Sequence, residues 1–354
     1  MDIYFTHTSI TDISLYNCSI LTEKDIEASH AIRRPLRGFT ALLFGVVIVV
    51  IYALCLQVML NPKIFCKACY KIMFFIGLYE ITTVIIHDIV NAYTTTFGVD
   101  FCDMPNINFF LGCVYAMCWA GASYLCLYLA FNRMLEILKF RRSTIEWFFS
   151  PHRTYFGCLI SFLYSLSFFF CNSPVVYSNL GGTMLPDPLF IRSKVDYEFR
   201  STLLIVNNFG VVVFTFLLYG YFCVISYKNI RLLPEITAHH IRLQHQVFIQ
   251  ASLMCGFNFF FSITYAIYVV FPKFTSLPEI VFVGYQYSIG LQALIYLFFN
   301  QTIRSGVKEN ICGALGIKIS SESIVDMRTD KMKASSSHET AISGIHSSTA
   351  SQQQ

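Results

Sequence analysis

Charge is what this chain has least of. Only 13% of its 354 residues are Asp, Glu, Lys or Arg, while 55% are hydrophobic and the mean hydropathy is +0.56. Water-soluble domains carry about 25% charged residues. A chain with half that share has too little polar surface to stay dispersed in water, so the lipid bilayer is its expected solvent. Collagen, coiled coil, disordered protein and small disulfide scaffold are excluded by the same composition. The net charge of +4 comes without the clustered Lys and Arg that nucleic acid requires, so no nucleic-acid partner is expected.

Signatures of catalysis are also missing. There is no Gly-rich phosphate loop, no His-Glu-x-x-His, no Gly-x-Ser-x-Gly, and no pair of membrane carboxylates on neighbouring helices. No enzyme, cofactor or metal centre is expected. Cys66-Lys67-Ala68-Cys69 lacks the second pair that a zinc site would need. It reads as two reduced cysteines or a palmitoylation site.

What the chain does have is length without charge. A helix needs about 20 apolar residues to cross the hydrocarbon core. Uncharged runs of 25, 29, 33, 27, 30 and 24 residues follow Arg37, Asp103, Arg153, Arg200, Arg242 and Glu279. A seventh span lies at residues 72–95, interrupted by Glu80, His87, Asp88 and Asn91. The expectation is an all-α membrane protein, a bundle of seven transmembrane helices, without the alternating segments of about 10 residues that build a barrel.

Lys and Arg set the orientation. The loops at 61–71, 133–153 and 227–243 with the start of the tail hold 14, and the N-terminal segment with the loops at 94–105, 176–200 and 272–279 holds 8. The amino terminus is therefore placed outside, although Arg33, Arg34 and Arg37 crowd the outer end of the first span. The organisation expected is an extracellular segment at 1–37, the seven-helix domain at 38–304, an amphipathic membrane-surface segment at 305–319 and a cytoplasmic tail at 320–354. No apolar run precedes residue 38, so the first span is expected to direct insertion. The tail holds 13 Ser or Thr in 35 residues, and no aromatic residue follows Phe299. Such a segment buries too little to fold, and it is either simply solvated or regulated by phosphorylation.

Outside the membrane, Asn17-Cys18-Ser19 is a glycosylation sequon at Asn17. Asn300-Gln301-Thr302 is a second, on the face where it cannot be used. Cys18 and Cys102 are the two clearly extracellular cysteines, with Cys171 their one competitor, so a Cys18–Cys102 disulfide is expected. Cys312, shortly after the last span, is a candidate for acylation.

Inside the membrane, Glu80, His87 and Asn91 fall on one stripe at 3.6 residues per turn, with Asp88 beside it. Embedded ionisable groups face the bundle interior. The stripe is either the polar lining of a ligand cavity or ion site, or a buried network that fixes helix packing. At the other end of the bundle, Arg133 is either a positive-inside anchor or a switch that holds a neighbouring helix.

Several stretches carry a resemblance: Tyr16-Asn17-Cys18-Ser19, Cys69-Tyr70-Lys71-Ile72-Met73-Phe74-Phe75, Phe101-Cys102, Leu129-Ala130-x-Asn132-Arg133-x-x-Glu136, Arg153-Thr154-Tyr155, and Ile295-Tyr296-Leu297-x-x-Asn300-x-x-Ile303-Arg304. In this order and spacing the chain resembles G-protein-coupled receptors, and more narrowly the nematode chemoreceptors of serpentine receptor class T, over residues 16–304. The resemblance implies a rhodopsin-like architecture in the plasma membrane of sensory neurons. It implies a receptor that binds a small extracellular ligand and shifts to a state that binds a heterotrimeric G protein, with Asn132, Arg133 and Glu136 at the G-protein-facing switch. Two departures stand out. Asn132 supplies no negative charge beside Arg133, and residues 290–296 contain no proline to kink the last span.

The ligand-pocket candidates are His87 and Asp88, Trp119 and Ser123, Asn207 and Asn208, Tyr265, and Tyr285 with Gln286, each equally able to serve packing. The other reading of such a bundle is a ligand-gated channel subunit or transporter, in which embedded Glu, His and Asp couple ions. Within it, the Arg33, Arg34 and Arg37 cluster favours a seven-span channel of the insect gustatory type, whose amino terminus lies inside.

Overall fold

The computed structural model describes residues 16–137, 148–187, 202–230 and 277–316, together with positions 10 and 13 and seven positions between 253 and 264. The chain divides into two units, Met1–Arg304 and Ser305–Gln354. The first holds a short helix α1 (Glu23–Ala31) and the long helices α2 (Pro35–Met59), α3 (Ala68–Phe97), α4 (Pro105–Ile137), α5 (Pro151–Cys171), α6 (Thr202–Ile230) and α7 (Leu277–Phe299). Helix α8 (Gln301–Ala314) continues into the second unit. Cys312 there is half-buried, and the tail at 320–354 lies outside the described residues.

Five of these helices are long and apolar enough to cross a membrane, and Thr202–Leu218 of α6 is a shorter apolar stretch. Most of the uncharged run after Arg242 lies outside the described residues. The starts follow from local chemistry. Pro35 and Pro151 occupy the first turns of α2 and α5, where a missing N–H costs nothing. Thr22 and Asp25 form a reciprocal capping box before α1. Helix α2 buries Ala41, Gly45, Ile48, Tyr52 and Cys55 and exposes Leu36, Phe39, Leu43, Val46 and Val50. That is one inward stripe at helical spacing and one face for lipid. The helix begins at Pro35, so Arg37 belongs to its first turn rather than to the preceding segment.

Helix α3 is regular only in part. Ile85–Val90 forms a wide π turn, with the Asn91 N–H donating to the Ile86 carbonyl five residues back. The extra residue rotates the later part of the helix. Glu80 ahead of the turn, His87 and Asp88 within it and Asn91 after it are all buried. His87 and Asp88, adjacent in sequence, face different neighbours, His87 the rings of Tyr115 and Phe282. Here Asp88 sits against α2, where a Cβ on Gly45 would lie 2.6 Å from its own Cβ.

The segment after α5 forms an antiparallel hairpin, β1 (Val176–Ser178) paired with β2 (Thr183–Leu185), with Val176 opposite Leu185 and Ser178 opposite Thr183. Its turn places Gly182 at a φ of 61°, a backbone region that glycine enters without strain. The Cys18–Cys102 disulfide, S–S 2.04 Å, ties the N-terminal segment to the start of α4 at the same end. Tyr16 packs edge-on against Phe109 at 5.2 Å within a cluster that includes Ile10, Ile13, Phe101 and Val176. Burial raises the pKa of its phenol.

Candidate functional site

The hairpin closes a cavity between α3, α4, α6 and α7. Its walls are His87 from α3, Tyr115, Ala116 and Trp119 from α4, Leu204 and Asn208 from α6, and Val281, Phe282 and Tyr285 from α7, with Phe261 beside them. Val175, Thr183, Met184 and Leu185 cover it. The volume open to the centre of a water molecule is about 90 Å³. One water needs about 10–15 Å³ on that measure, so the space suits a small molecule rather than a peptide.

His87 is the polar centre of an aromatic wall. Its ring stacks on Phe282 at 4.2 Å and on Tyr115 at 5.8 Å, and meets Tyr285 edge-on at 5.6 Å. Tyr285 in turn lies edge-on to Trp119 at 5.0 Å. Behind the imidazole, His87 Nδ1 stands 3.6 Å from Asp88 Oδ1. Neither Asp88 oxygen has a hydrogen-bond partner among the described residues. Across the cavity lining, Trp119 Nε1 donates to Asn208 Oδ1 at 2.9 Å, and Asn207 Nδ2 donates to the same oxygen at 3.3 Å. Asn207 Oδ1 accepts from the Tyr164 hydroxyl at 2.9 Å. An indole N–H can only donate, which fixes the orientation of the Asn208 amide.

Of the pocket candidates, the cavity gathers His87, Trp119, Asn208 and Tyr285. Asp88 and Asn207 stand behind His87 and Asn208 as supports. Ser123 and Gln286 are buried and are not among the residues that line this cavity. Tyr265 lies outside the described residues. Asn91 Nδ2 donates to the Met184 sulfur at 3.4 Å, so it holds the hairpin rather than facing the cavity. Glu80 lies deeper, against the Gln292 amide. The stripe therefore divides into one cavity residue, one residue under the hairpin and one in the core. Asn17 is half-buried and accepts from the Ser19 N–H at 2.9 Å.

Sequence reasoning missed Tyr115, Phe282 and the hairpin. Tyr115 precedes Trp119 by one helical turn and Phe282 precedes Tyr285 by three residues, so both were within reach of a helical-face argument. Gly181-Gly182 between two β-prone runs is a hairpin signal.

The arginines at the start of α2 also gain partners here. Arg34 donates to the Asn179 carbonyl at 3.0 Å, and Asn179 donates to the Ser29 and Ile32 carbonyls at 2.6 and 2.8 Å. Arg37 lies over the Phe282 ring at 4.8 Å. These charges staple the hairpin to α1 and α2.

At the far end of α4, Asn132 is fully buried and neither side-chain atom has a hydrogen-bond partner among the described residues. Arg133 is also buried, and the side chain of Glu136 lies outside the described residues. Nearby, the Tyr70 hydroxyl donates to Asn300 Oδ1 at 3.3 Å, and buried Lys71 lies over the Tyr155 ring at 4.4 Å.

Residues 3–320 match the family model described as "Serpentine type 7TM GPCR chemoreceptor Srt". The chain belongs to this serpentine chemoreceptor family. A relative from Caenorhabditis elegans, "Serpentine receptor class T-55", is 25% identical over 249 residues, covering 66% of this chain and 63% of the relative's length. The chain thus spans just under two thirds of the curated relative it matches. As a member of Srt it is a multi-pass membrane protein, and its described helices fit the seven-helix bundle of that family.

Proposed function

We propose that this serpentine chemoreceptor binds a small extracellular molecule in the cavity beside His87 and that occupancy favours an arrangement of helices that a heterotrimeric G protein also favours. One observation carries the reading: α4 contributes both to the cavity, through Tyr115 and Trp119, and to the Asn132-Arg133 pair at the opposite end. Trp119 and Arg133 are separated by about 21 Å along that axis at 1.5 Å per residue. A rigid helix shared by two sites supplies their coupling, and the coupling is reciprocal. Which arrangement of the helices dominates is then set by the differential affinity of each partner for it.

The orientation proposed has the disulfide end outside. The Cys18–Cys102 bond supports it, since such bonds persist in oxidising compartments. By charge alone Arg33, Arg34 and Arg37 favour a cytoplasmic amino terminus, but Arg34 and Arg37 donate to the hairpin carbonyls of Asn179 and Gly182, a role that accounts for them without inverting the bundle. An epitope tag before Tyr4 is expected to be reached by antibody on unpermeabilised cells, and Asn17→Gln is expected to remove a glycan. A hidden tag with no glycan shift would overturn the orientation. Arg133→Ala is then expected to leave surface expression intact while abolishing ligand-stimulated nucleotide exchange.

A further inference from the structure

The cavity's polar groups specify the chemistry of what enters it. His87 Nδ1 is sealed from the cavity and turned to Asp88, which leaves Nε2 as the nitrogen on the cavity side of a ring that lines it. Both side chains are essentially inaccessible, at 1% and 0% exposure. A lone buried charge is more costly than a neutralised pair. Two proton arrangements leave the pair without net charge: carboxylate with imidazolium, or carboxylic acid with neutral imidazole. In the first Nε2 carries a hydrogen, and in the second it does so when the Asp88 carboxylic proton faces Nδ1. The Asn208 amide reaches the same result independently. Its oxygen is taken by Trp119 and Asn207, so its N–H2 is the edge left for the cavity.

We infer that the cavity takes a small, flat, largely apolar molecule that carries a hydrogen-bond acceptor, a carbonyl or a carboxylate, received by His87 Nε2 and Asn208 Nδ2. This rests on the proposed role of the cavity as the ligand site. Aromatic walls supply stacking for the body of the molecule. A cationic ligand is disfavoured because both edges donate, because Asp88 is screened behind the imidazole, and because Arg37 lies across Phe282 from it.

The sequence holds 2 tryptophans, so Trp147→Phe leaves Trp119 as a reporter in the cavity wall. The full chain carrying that change, in lipid nanodiscs, is titrated with toluene, acetophenone, benzoate and benzylamine while Trp119 emission is followed. Acetophenone, benzoate or both are expected to bind at least about tenfold tighter than toluene, with benzylamine no tighter than toluene. Acetophenone alone would assign a neutral carbonyl, and benzoate alone an acid. His87→Phe should bring the preferred probe down to the affinity of toluene, and His87→Gln, which keeps a donor, should restore part of the difference. Toluene binding as tightly as both acceptors, or benzylamine binding best, overturns the inference while leaving the cavity a ligand site. Silence from all four probes removes the ligand-site reading as well. The ranking on the parent chain needs no substitution at His87, so it stands even where a His87 variant does not fold.

Discussion

Arg37 Nη1 lies 2.7 Å from Glu279 Oε1, and its other terminal nitrogen donates to the Gly182 carbonyl at 2.9 Å. One guanidinium thus joins the first long helix, the last one and the hairpin over the cavity. Glu279 is 42% exposed, so the pair alone is worth at most about 1 kcal/mol. A double-mutant cycle with Arg37→Ala and Glu279→Ala should give a coupling of that size that shrinks in high salt. Arg37→Ala by itself should cost more, about 1–2 kcal/mol, since the hairpin carbonyl also loses its donor. Thermal unfolding in detergent at two salt concentrations measures both.

The disulfide carries a second prediction. Peptide mapping without reductant should recover the Cys18 and Cys102 peptides as one species and Cys171, an exposed thiol, as a separate alkylated one. Cys18→Ser and Cys102→Ser should each lower stability by about 2–4 kcal/mol, and the double variant by no more than either alone. Additive losses would show that the two cysteines act independently.

Gly45 tests the packing behind His87. A side chain there would meet Asp88 at 2.6 Å and the Ile89 side chain at 3.3 Å. Gly45→Val should therefore destabilise by about 1–3 kcal/mol through overpacking, and should weaken binding in the cavity because Asp88 must shift with His87 in front of it. A variant with parental melting and parental probe affinity would contradict this packing.

Asn132 makes a prediction of opposite sign. An amide buried without partners loses its hydration for nothing in return, and an apolar residue of the same branched shape does not. Asn132→Leu should raise the melting temperature, equivalent to about 1–2 kcal/mol, and should diminish G-protein activation, because the amide is expected to find its partners in the arrangement that the G protein favours. Raised stability with full signalling would separate Asn132 from the switch.

Most of the architecture was legible from the chain because a bilayer imposes a coarse rule: about 20 apolar residues per crossing. The uncharged runs after Arg37, Asp103, Arg153 and Glu279 each contain a long helix, and Cys18 and Cys102 are bonded. The site was legible only in part. His87, Trp119, Asn208 and Tyr285 are polar or bulky residues in apolar helices and attracted notice for that reason. Tyr115 and Phe282 look like lipid-facing aromatics until the neighbouring helices are in place.

Composition and charge spacing alone determined that this chain lives in a membrane, how often it crosses, and which polar residues must face inward. Tertiary structure decided where those residues sit and what they touch. Three features set this: a π turn at Ile85–Val90 that no hydropathy pattern announces, a hairpin held by arginines that charge counting assigns to topology, and amide orientations fixed by an indole on another helix. The first kind of information is a transfer free energy summed along one segment. The second is a set of contacts between segments far apart in sequence, and these exist only once the helices have packed.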